Sequence, residues 1–307
     1  MHRIKHFKKW ALVLVVLVVS LALLIGCGED EDNPTITVAS KPFTEQLILG
    51  NMLLELLDYH DYPTEDRLSL GETDVLRPSM VNGEVDVYWE YTGTVLLTVM
   101  HHEPVGDPDE AYRLVQEYDE EQELVWLDYS DANNAYVLLM RADDAADRGI
   151  ETISDLAAYI NENPEELELG INEVFYERDD GIRGVEETYG FEFGSDNITF
   201  LTTGLYYQAL REGEIDVSEG FGTDGRIPAF DLVIIEDDQE FFPVYNPAPV
   251  IRQEMLDAYP ELEDIINELT ALLDHETLMQ LNEDVDLNEI EPEEVAVNFL
   301  RDNGLID

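Results

Sequence analysis

Two copies of one short phrase, far apart along the chain, constrain the fold more than any other feature. Residues 83–91 read GEVDVYWEY and residues 213–221 read GEIDVSEGF. A glycine, an aliphatic-Asp-Val core and an aromatic ring therefore recur at matching offsets. The copies begin 130 positions apart, at Gly83 and Gly213, which is the size of a lobe and much longer than a solenoid repeat. The spacing predicts two lobes that are built alike.

Apolar runs alternate with helical patterns around both copies, which predicts an α/β class with largely parallel sheets. In each copy a helix precedes the glycine, and Tyr91 or Phe221 comes just past the carboxyl end of a short strand, where open α/β sheets bind ligands. Both rings are therefore expected to be partly exposed in one shared cleft. The alternative is that the phrase is a common helix–turn–strand motif and that both rings belong to the core.

Local patterns predict individual elements. Short apolar runs predict strands at 36–39, 85–88, 135–140, 167–171, 198–201, 215–217 and 232–235. Helices are predicted to begin at Thr44, at Asp107-Pro108 and at Ser154, and the chain from Glu254 onward is predicted to be mostly helical, with breaks near Pro260, His275 and Pro292.

The first 26 residues have the composition of a secretory signal. A basic start precedes the apolar run Trp10–Ile25, which is shorter than the ~20 residues that a bilayer-spanning helix requires. Gly26 stands before Cys27, the sole cysteine, as in a bacterial lipobox. Cys27 is therefore predicted to carry lipid and to open an acidic linker, residues 27–35. The alternative is an uncleaved anchor helix; in either case a single cysteine allows no intrachain disulfide.

The charge balance excludes one class of partner. Asp and Glu number 70 against 16 Lys and Arg, a net charge of −54; without the four basic residues of the first 26 positions it is −58. Such a chain repels nucleic acid and offers no basic stripe to bind it. Because the acids are spread along the whole chain, adaptation to a salty medium is the simplest explanation of their number.

Enzymatic signatures are few. His101-His102-Glu103 resembles a metal motif, but adjacent histidine side chains diverge and the sequence shows no third ligand at metal-site spacing. There is no Gly-x-Ser-x-Gly elbow. A hydrolytic pair of carboxylates stays open as an alternative, since acids are abundant. No cofactor is indicated.

An ordered series of short motifs resembles the osmoprotectant-binding proteins of ABC transporters, the glycine betaine/carnitine/choline-binding group. The resemblance runs from about Ile36 to Leu305. Its motifs, in chain order, are SKPFTEQ (40–46), YWEYTGT (88–94), ISDL (153–156), YQAL (207–210), TDGR (223–226), DD (237–238), FPVY (242–245) and APV (248–250).

The resemblance implies a two-lobed periplasmic-binding-protein fold, type II-like, that closes by a hinge over a ligand in the interlobe cleft. The lobes are expected at 36–135 for the first part of lobe 1, at 136–240 for lobe 2 and at 241–307 for the return to lobe 1 and the C-terminal helices. The implied function is extracytoplasmic capture of a quaternary-ammonium solute (glycine betaine, choline or carnitine), with an ABC permease and ATPase as partners. The alternatives are a lipid-anchored sensor or adhesion module on the same fold, or a hydrolase.

The resemblance also implies site residues. The positions that match the family's aromatic cage are Tyr91, Tyr136, Phe221 and Tyr245, and those that match its polar, carboxylate-binding end are Lys41, Thr94 and Arg178. Core packing is the alternative for each tyrosine, and a surface ion pair is the alternative for Arg178. Two positions depart from the family pattern: Glu72 replaces a glycine, and Phe221 keeps the aromatic face of the usual tyrosine without its hydroxyl.

Overall fold

The structure is a computed structural model that describes residues 34–178, 180–202 and 204–307. The predicted signal sequence and Cys27 lie outside the described residues. In the described part the strands are β1 (Ile36–Ala39), β2 (Thr64–Arg67), β3 (Val87–Tyr91), β4 (Leu124–Trp126), β5 (Tyr136–Arg141), β6 (Leu169–Ile171), β7 (Ile198–Phe200), β8 (Val217–Phe221), β9 (Leu232–Ile235) and β10 (Pro247–Arg252).

Helices alternate with these strands, which confirms the predicted α/β class. They are α1 (Thr44–Tyr59), α2 (Thr73–Val81), α3 (Thr92–Thr94), α4 (Pro108–Asp119), α5 (Ala142–Arg148), α6 (Ile153–Glu162), α7 (Glu173–Glu177), α8 (Ile182–Tyr189), α9 (Leu205–Glu212), α10 (Arg226–Ala229), α11 (Gln253–Ala258), α12 (Leu262–Thr270), α13 (His275–Asp286) and α14 (Pro292–Asp302). None of the helices within the described ranges is long and apolar enough to span a membrane.

The strands form two five-stranded sheets with the same layout. The first sheet has the order β2-β1-β3-β10-β4 and the second has the order β7-β6-β8-β5-β9. In each sheet the first three strands are parallel to one another, whereas the fourth runs antiparallel to both of its neighbours. Four of the five strands in each described sheet run in the same direction, so the prediction of largely parallel sheets is confirmed, with one antiparallel strand in each sheet.

The reason for the mixed pairing is the way in which the chain passes between the sheets. It leaves the first sheet after β4 and enters the second as β5, and it leaves the second after β9 and returns as β10. Parallel strands β3 and β8 end at Tyr91 and Phe221, whereas β5 and β10 begin beside these two residues. A strand that enters at this edge must run away from it, and is therefore antiparallel to its neighbours.

The repeated phrase falls on the equivalent central strands β3 and β8. Gly83 and Gly213 both have φ near +75°, a left-handed conformation that glycine adopts without strain after a helix. Tyr91 and Phe221 are the last residues of their strands, and do not lie beyond them as predicted. The two copies therefore occupy corresponding places in two sheets of equal topology.

The aspartate of the repeated phrase binds the last residue of the antiparallel strand in its own sheet, β10 or β5. Asp86 accepts hydrogen bonds from the backbone N–H of Thr37 (2.8 Å) and from Arg252, the last residue of β10 (3.0 Å). Asp216 likewise accepts from the N–H of Glu168 (3.0 Å) and from Arg141, the last residue of β5 (3.1 Å). This part of the phrase is structural, and it lies at the opposite end of each strand from the aromatic ring.

The two passages between the sheets run side by side. The backbone N–H of Ser130 donates to Pro247 O (2.9 Å), and that of Asn134 donates to Tyr245 O (3.1 Å). The buried Asn246 side chain donates to the carbonyl oxygens of Ser130 (3.3 Å) and Ala132 (2.8 Å). The segments 127–135 and 236–246 are therefore joined to each other where they link the two lobes.

Candidate functional site

A cavity of about 520 Å³ opens between the two sheets, at the edge where β3 and β8 end. All seven residues predicted for the site line it: Lys41, Tyr91, Thr94, Tyr136, Arg178, Phe221 and Tyr245. They come from both sides of the cleft and from the segments that connect them. Residues up to 204 positions apart in the chain (Lys41 and Tyr245) are thereby brought to one place.

The aromatic residues occupy strand ends that meet at the cavity. Tyr136, the first residue of β5, pairs with Phe221 on β8, and their ring centroids are 4.9 Å apart. Tyr136 also packs against Phe175, with centroids 5.0 Å apart. Tyr245 precedes β10 and lies against Gly93, where an added Cβ would stand 2.9 Å from its ring. The sheet topology therefore determines where the four predicted rings converge.

Tyr91 is more buried than expected. Its side chain is only 4% exposed, whereas Tyr136, Phe221 and Tyr245 are half-buried. The Tyr91 hydroxyl donates to Glu45 Oε1 over 2.7 Å, and its ring stacks on Phe43 at 6.2 Å. Burial, and after it the charge of Glu45, raises the pKa of Tyr91 well above its ordinary value, so the phenol keeps its proton as a donor. The expectation of a partly exposed Tyr91 is wrong, because this hydrogen bond draws the ring into the wall.

Lys41 reaches the cavity with its charge already balanced. Its ammonium group lies 2.5 Å from Glu90 Oε1, and both side chains are buried. Glu90 also accepts from the hydroxyls of Tyr88 (2.7 Å) and Thr73 (3.3 Å). The Lys41 Nζ stands 5.2 Å from the centroid of the Tyr91 ring. Lys41 therefore supports the base of the cavity through Glu90 and Tyr91.

Arg178 is both part of the cavity wall and one half of an ion pair. Its Nε and Nη2 atoms donate to the two oxygens of Asp180 over 2.6 and 2.5 Å. This hydrogen bonding raises the pKa of Arg178, so that the guanidinium stays charged. The Cζ atom lies 5.4 Å from the Tyr136 ring centroid. The ion-pair alternative is thus present together with a position at the cavity.

The Glu72 departure from the family pattern causes no backbone strain. Glu72 precedes α2 with φ −82° and ψ −178°, an extended conformation that any residue adopts. The next residue, Thr73, lines the cavity and donates to Glu90. A glycine is therefore not required at position 72 to shape this loop.

Several cavity residues were not predicted from the sequence. They are Phe43, Thr44, Glu45, Glu72, Thr73, Thr98, Asn134, Thr223, Asp224, Arg226, Asn282 and Asp286. Phe43 to Glu45 lie within the SKPFTEQ motif, and Glu45 stands in the first turn of α1. Asn282 and Asp286 lie on α13, and no local pattern links that helix to their hydrogen-bond partners Glu45 and Thr44, which are 237 and 242 positions earlier in the chain.

The cavity offers aromatic faces and hydrogen-bonding groups instead of a metal cluster. No group of three His, Cys, Asp or Glu side chains in the described ranges is arranged to hold a metal ion. His101 and His102 are exposed and do not line the cavity. The arrangement is suited to holding a small organic cation between rings.

Comparison with known proteins gives concordant results. The family model for the substrate binding domain of ABC-type glycine betaine transport systems matches residues 34–302. The chain is 35% identical over 279 residues to a glycine-betaine-binding protein of Pseudomonas aeruginosa, with 89% of each chain covered. It is 33% identical over 308 residues to the carnitine transport binding protein OpuCC of Listeria monocytogenes, with 97% of each covered.

Solved structures agree at the level of the fold. The crystal structure of a glycine betaine/carnitine/choline ABC transporter protein matches with a TM-score of 0.81 at 30% identity, covering 89% of this chain and 100% of that one. The predicted two-lobed periplasmic-binding-protein fold is confirmed by this likeness and by the two sheets of matching topology.

Proposed function

The chain belongs to the family of substrate-binding domains of ABC-type glycine betaine transport systems, and from this membership we propose that it captures a quaternary-ammonium solute in the interlobe cavity. The family consists of solute-binding proteins, so the chain is not an enzyme. Outside the cytoplasm the protein delivers its ligand, of the glycine betaine, choline or carnitine class, to a permease and an ATPase. It thereby serves the uptake of a compatible solute for osmoprotection.

The observation that carries this proposal is the set of four rings at one cavity, drawn from both sheets and from the segments between them. A trimethylammonium group has no N–H, so no acceptor can hold it through a directional hydrogen bond. Aromatic faces attract it through their quadrupole and avoid the desolvation penalty of a buried carboxylate. Tyr91, Tyr136, Phe221 and Tyr245 form the proposed cage.

Polar side chains form the proposed opposite end of the ligand site. Arg178 can present a guanidinium to a carboxylate, and Thr94 lines the same cavity at the end of α3. Lys41 contributes through the Glu90 pair. A ligand carboxylate would share Arg178 with Asp180, and this competition makes the charge balance of the site important for selectivity.

Replacement of Phe221 by leucine is expected to weaken ligand binding about five- to thirtyfold, because it keeps apolar bulk and removes one cation–π contact worth about 1–2 kcal/mol. Calorimetric titration with glycine betaine and choline measures the change. Phe221→Tyr keeps the aromatic face and should bind as well as the unsubstituted protein. Phe221 is a better test than Tyr91, because the buried Tyr91 also contributes to stability.

Phe200→Leu is the matched control for this test. Phe200 ends the edge strand β7, is 49% exposed and does not line the cavity. It should leave both affinities unchanged. Unchanged affinity in Phe221→Leu, combined with a large loss of stability without ligand, would return Phe221 to a core role.

We also propose that lipid on Cys27 anchors the protein to the cell membrane, on the basis of the lipobox-like Gly26-Cys27 after an apolar run. The Cys27→Ala variant is expected to appear in the soluble fraction and to lose incorporation of a labelled fatty acid. Retention of the variant in membranes would instead favour the uncleaved anchor helix.

A further inference from the structure

The basic side chains at the cavity are all neutralised by nearby carboxylates. Lys41 pairs with Glu90, Arg178 pairs with Asp180, and Arg226 donates to Asp224 from Nε (2.8 Å) and Nη2 (2.5 Å). Within the described part of the chain these three are the basic residues that line the cavity. They therefore add no net positive charge to it.

Glu45 is different, because it is a buried carboxylate at the cavity without a basic partner. Its side chain is 2% exposed. Oε1 accepts from the Tyr91 hydroxyl (2.7 Å) and from Asn134 Nδ2 (3.2 Å), and Oε2 accepts from Asn282 Nδ2 (3.0 Å). No ion pair of Glu45 occurs among residues 34–178, 180–202 and 204–307.

The surroundings of Glu45 suit a negative charge. Both oxygens accept from amide N–H groups, and Glu45 lies in the first turn of the 16-residue helix α1, where the helix dipole is positive. Neutral donors and a helix terminus stabilise an anion but do not cancel its charge. Asp286 is a further acidic residue that lines the cavity and adds to its negative potential. Its Oδ1 accepts from Thr44 (2.6 Å), and its Oδ2 is 3.9 Å from Arg226.

We propose that Glu45 is a specificity-determining residue that makes the cavity select a quaternary ammonium of net positive charge, such as choline, over a zwitterion such as glycine betaine. This inference rests on the proposed function. The Tyr91 hydroxyl holds the carboxylate at the edge of a cage ring, so an ammonium near that ring is attracted to both. A net cation gains this attraction, and the Lys41 ammonium over the same ring is balanced by Glu90.

A zwitterion gains less for two reasons. Its carboxylate must enter the same cavity and is repelled by Glu45, and the cations that could receive it are already engaged by Glu90, Asp180 and Asp224. Because the Glu45 charge is buried, salt screens it far less than it screens the surface acids. The preference for a cationic ligand therefore persists in a medium of high ionic strength.

The test is calorimetric titration of the protein and its Glu45→Gln variant with choline and with glycine betaine at one fixed salt concentration. The unsubstituted protein is expected to bind choline more tightly. Glu45→Gln is expected to lose about tenfold in choline affinity and less than about threefold in betaine affinity. The Arg178→Ala variant tests the carboxylate end of the site. Because choline has no carboxylate, this variant should weaken betaine binding more than choline binding.

A second variant separates charge from the positioning of the ring. Tyr91→Phe removes the hydrogen bond to Glu45 and keeps the carboxylate, so the ratio of choline to betaine affinity should stay within about twofold of the original. A ratio that falls in Tyr91→Phe as far as in Glu45→Gln would overturn the charge assignment. Melting temperatures of both variants establish that they are folded.

The outcomes distinguish this inference from the proposed function. Binding of none of glycine betaine, choline and carnitine by the unsubstituted protein would overturn the proposed function. Tighter binding of betaine than of choline by the unsubstituted protein, or equal losses for both ligands in Glu45→Gln, would overturn the role of Glu45 and leave the proposed function intact.

Discussion

At pH 8 the Glu219→Gln variant is expected to have a free energy of unfolding about 3 kcal/mol larger than that of the unsubstituted protein. Glu219 lies on β8 and is fully buried. Its Oε1 accepts from the backbone N–H of Asn172 over 3.0 Å, and no partner for Oε2 is found among the described residues. Burial raises the pKa of Glu219 from 4.5 to about 8, and the Asn172 N–H opposes this only in part.

The sign of the pH dependence follows from that shift. The folded protein holds this proton more tightly than the unfolded chain, so the stabilisation from protonated Glu219 is complete below the unfolded pKa of 4.5. It is lost progressively as the pH rises through about 8. Glutamine cannot ionise, so the Glu219→Gln variant does not lose this stabilisation as the pH rises. At pH 5 the two proteins should therefore differ by less than about 1 kcal/mol.

Urea unfolding at pH 5 and pH 8, in the same concentration of salt, measures both differences. Glu214→Gln is the matched control, since it makes the same substitution at an exposed carboxylate close to β8. That variant should show no gain that depends on pH. An equal gain at both pH values for Glu219→Gln would contradict the assignment to ionisation.

The melting temperature of the protein is expected to rise by about 10 °C or more between 0.1 and 2 M KCl. A chain with 70 acidic residues repels itself when folded, and the Debye length falls from about 10 Å at 0.1 M to about 3 Å at 1 M. Glu55 shows the crowding locally: its pKa is raised chiefly by burial and then by the charges of Glu293 and Asp58.

Scanning calorimetry across a KCl series at neutral pH tests this expectation. Because screening saturates once the Debye length is short, most of the rise should occur below about 1 M. An equivalent series with sucrose is the control, since a neutral osmolyte stabilises without screening. A flat KCl curve would show that the native contacts already neutralise the acids.

Strands with a strong apolar pattern could be predicted from sequence, but others could not. β1 and β9 were predicted with their observed bounds, whereas β2 (Thr64–Arg67) is a polar edge strand with the sequence TEDR and no alternation. β10 contains Pro247 and Pro249, which argue against a central strand. Their carbonyl groups face residues 127–130, beyond the end of β4, so the missing N–H groups leave the β4 ladder intact.

Some residues of the candidate site could likewise be predicted from the sequence, and others could not. Tyr91 and Phe221 could be located from the repeated phrase itself, because equivalent strands end at a common edge. The other predicted residues depended on the family resemblance. Glu45 could not be recognised from local pattern, because an acid at a helix N-terminus is common and its significance comes from Asn282, 237 positions away. Long-range pairing of this kind leaves no signal in a short window of sequence.

The hydrogen bonds that Asp86 and Asp216 accept restrict how the lobes can move. Each pins the far end of an entering strand to its own sheet, so β5 and β10 travel as rigid parts of their lobes. Deformation must then be confined to the passages between the lobes, where residues 130–134 hydrogen-bond to residues 245–247. Two linking segments that lie side by side leave the lobes essentially one degree of freedom, which is rotation about the line that joins the two segments. The cleft is therefore expected to open and shut along a single reproducible trajectory, with little twist or shear, and the rings on its two sides meet in the same alignment each time.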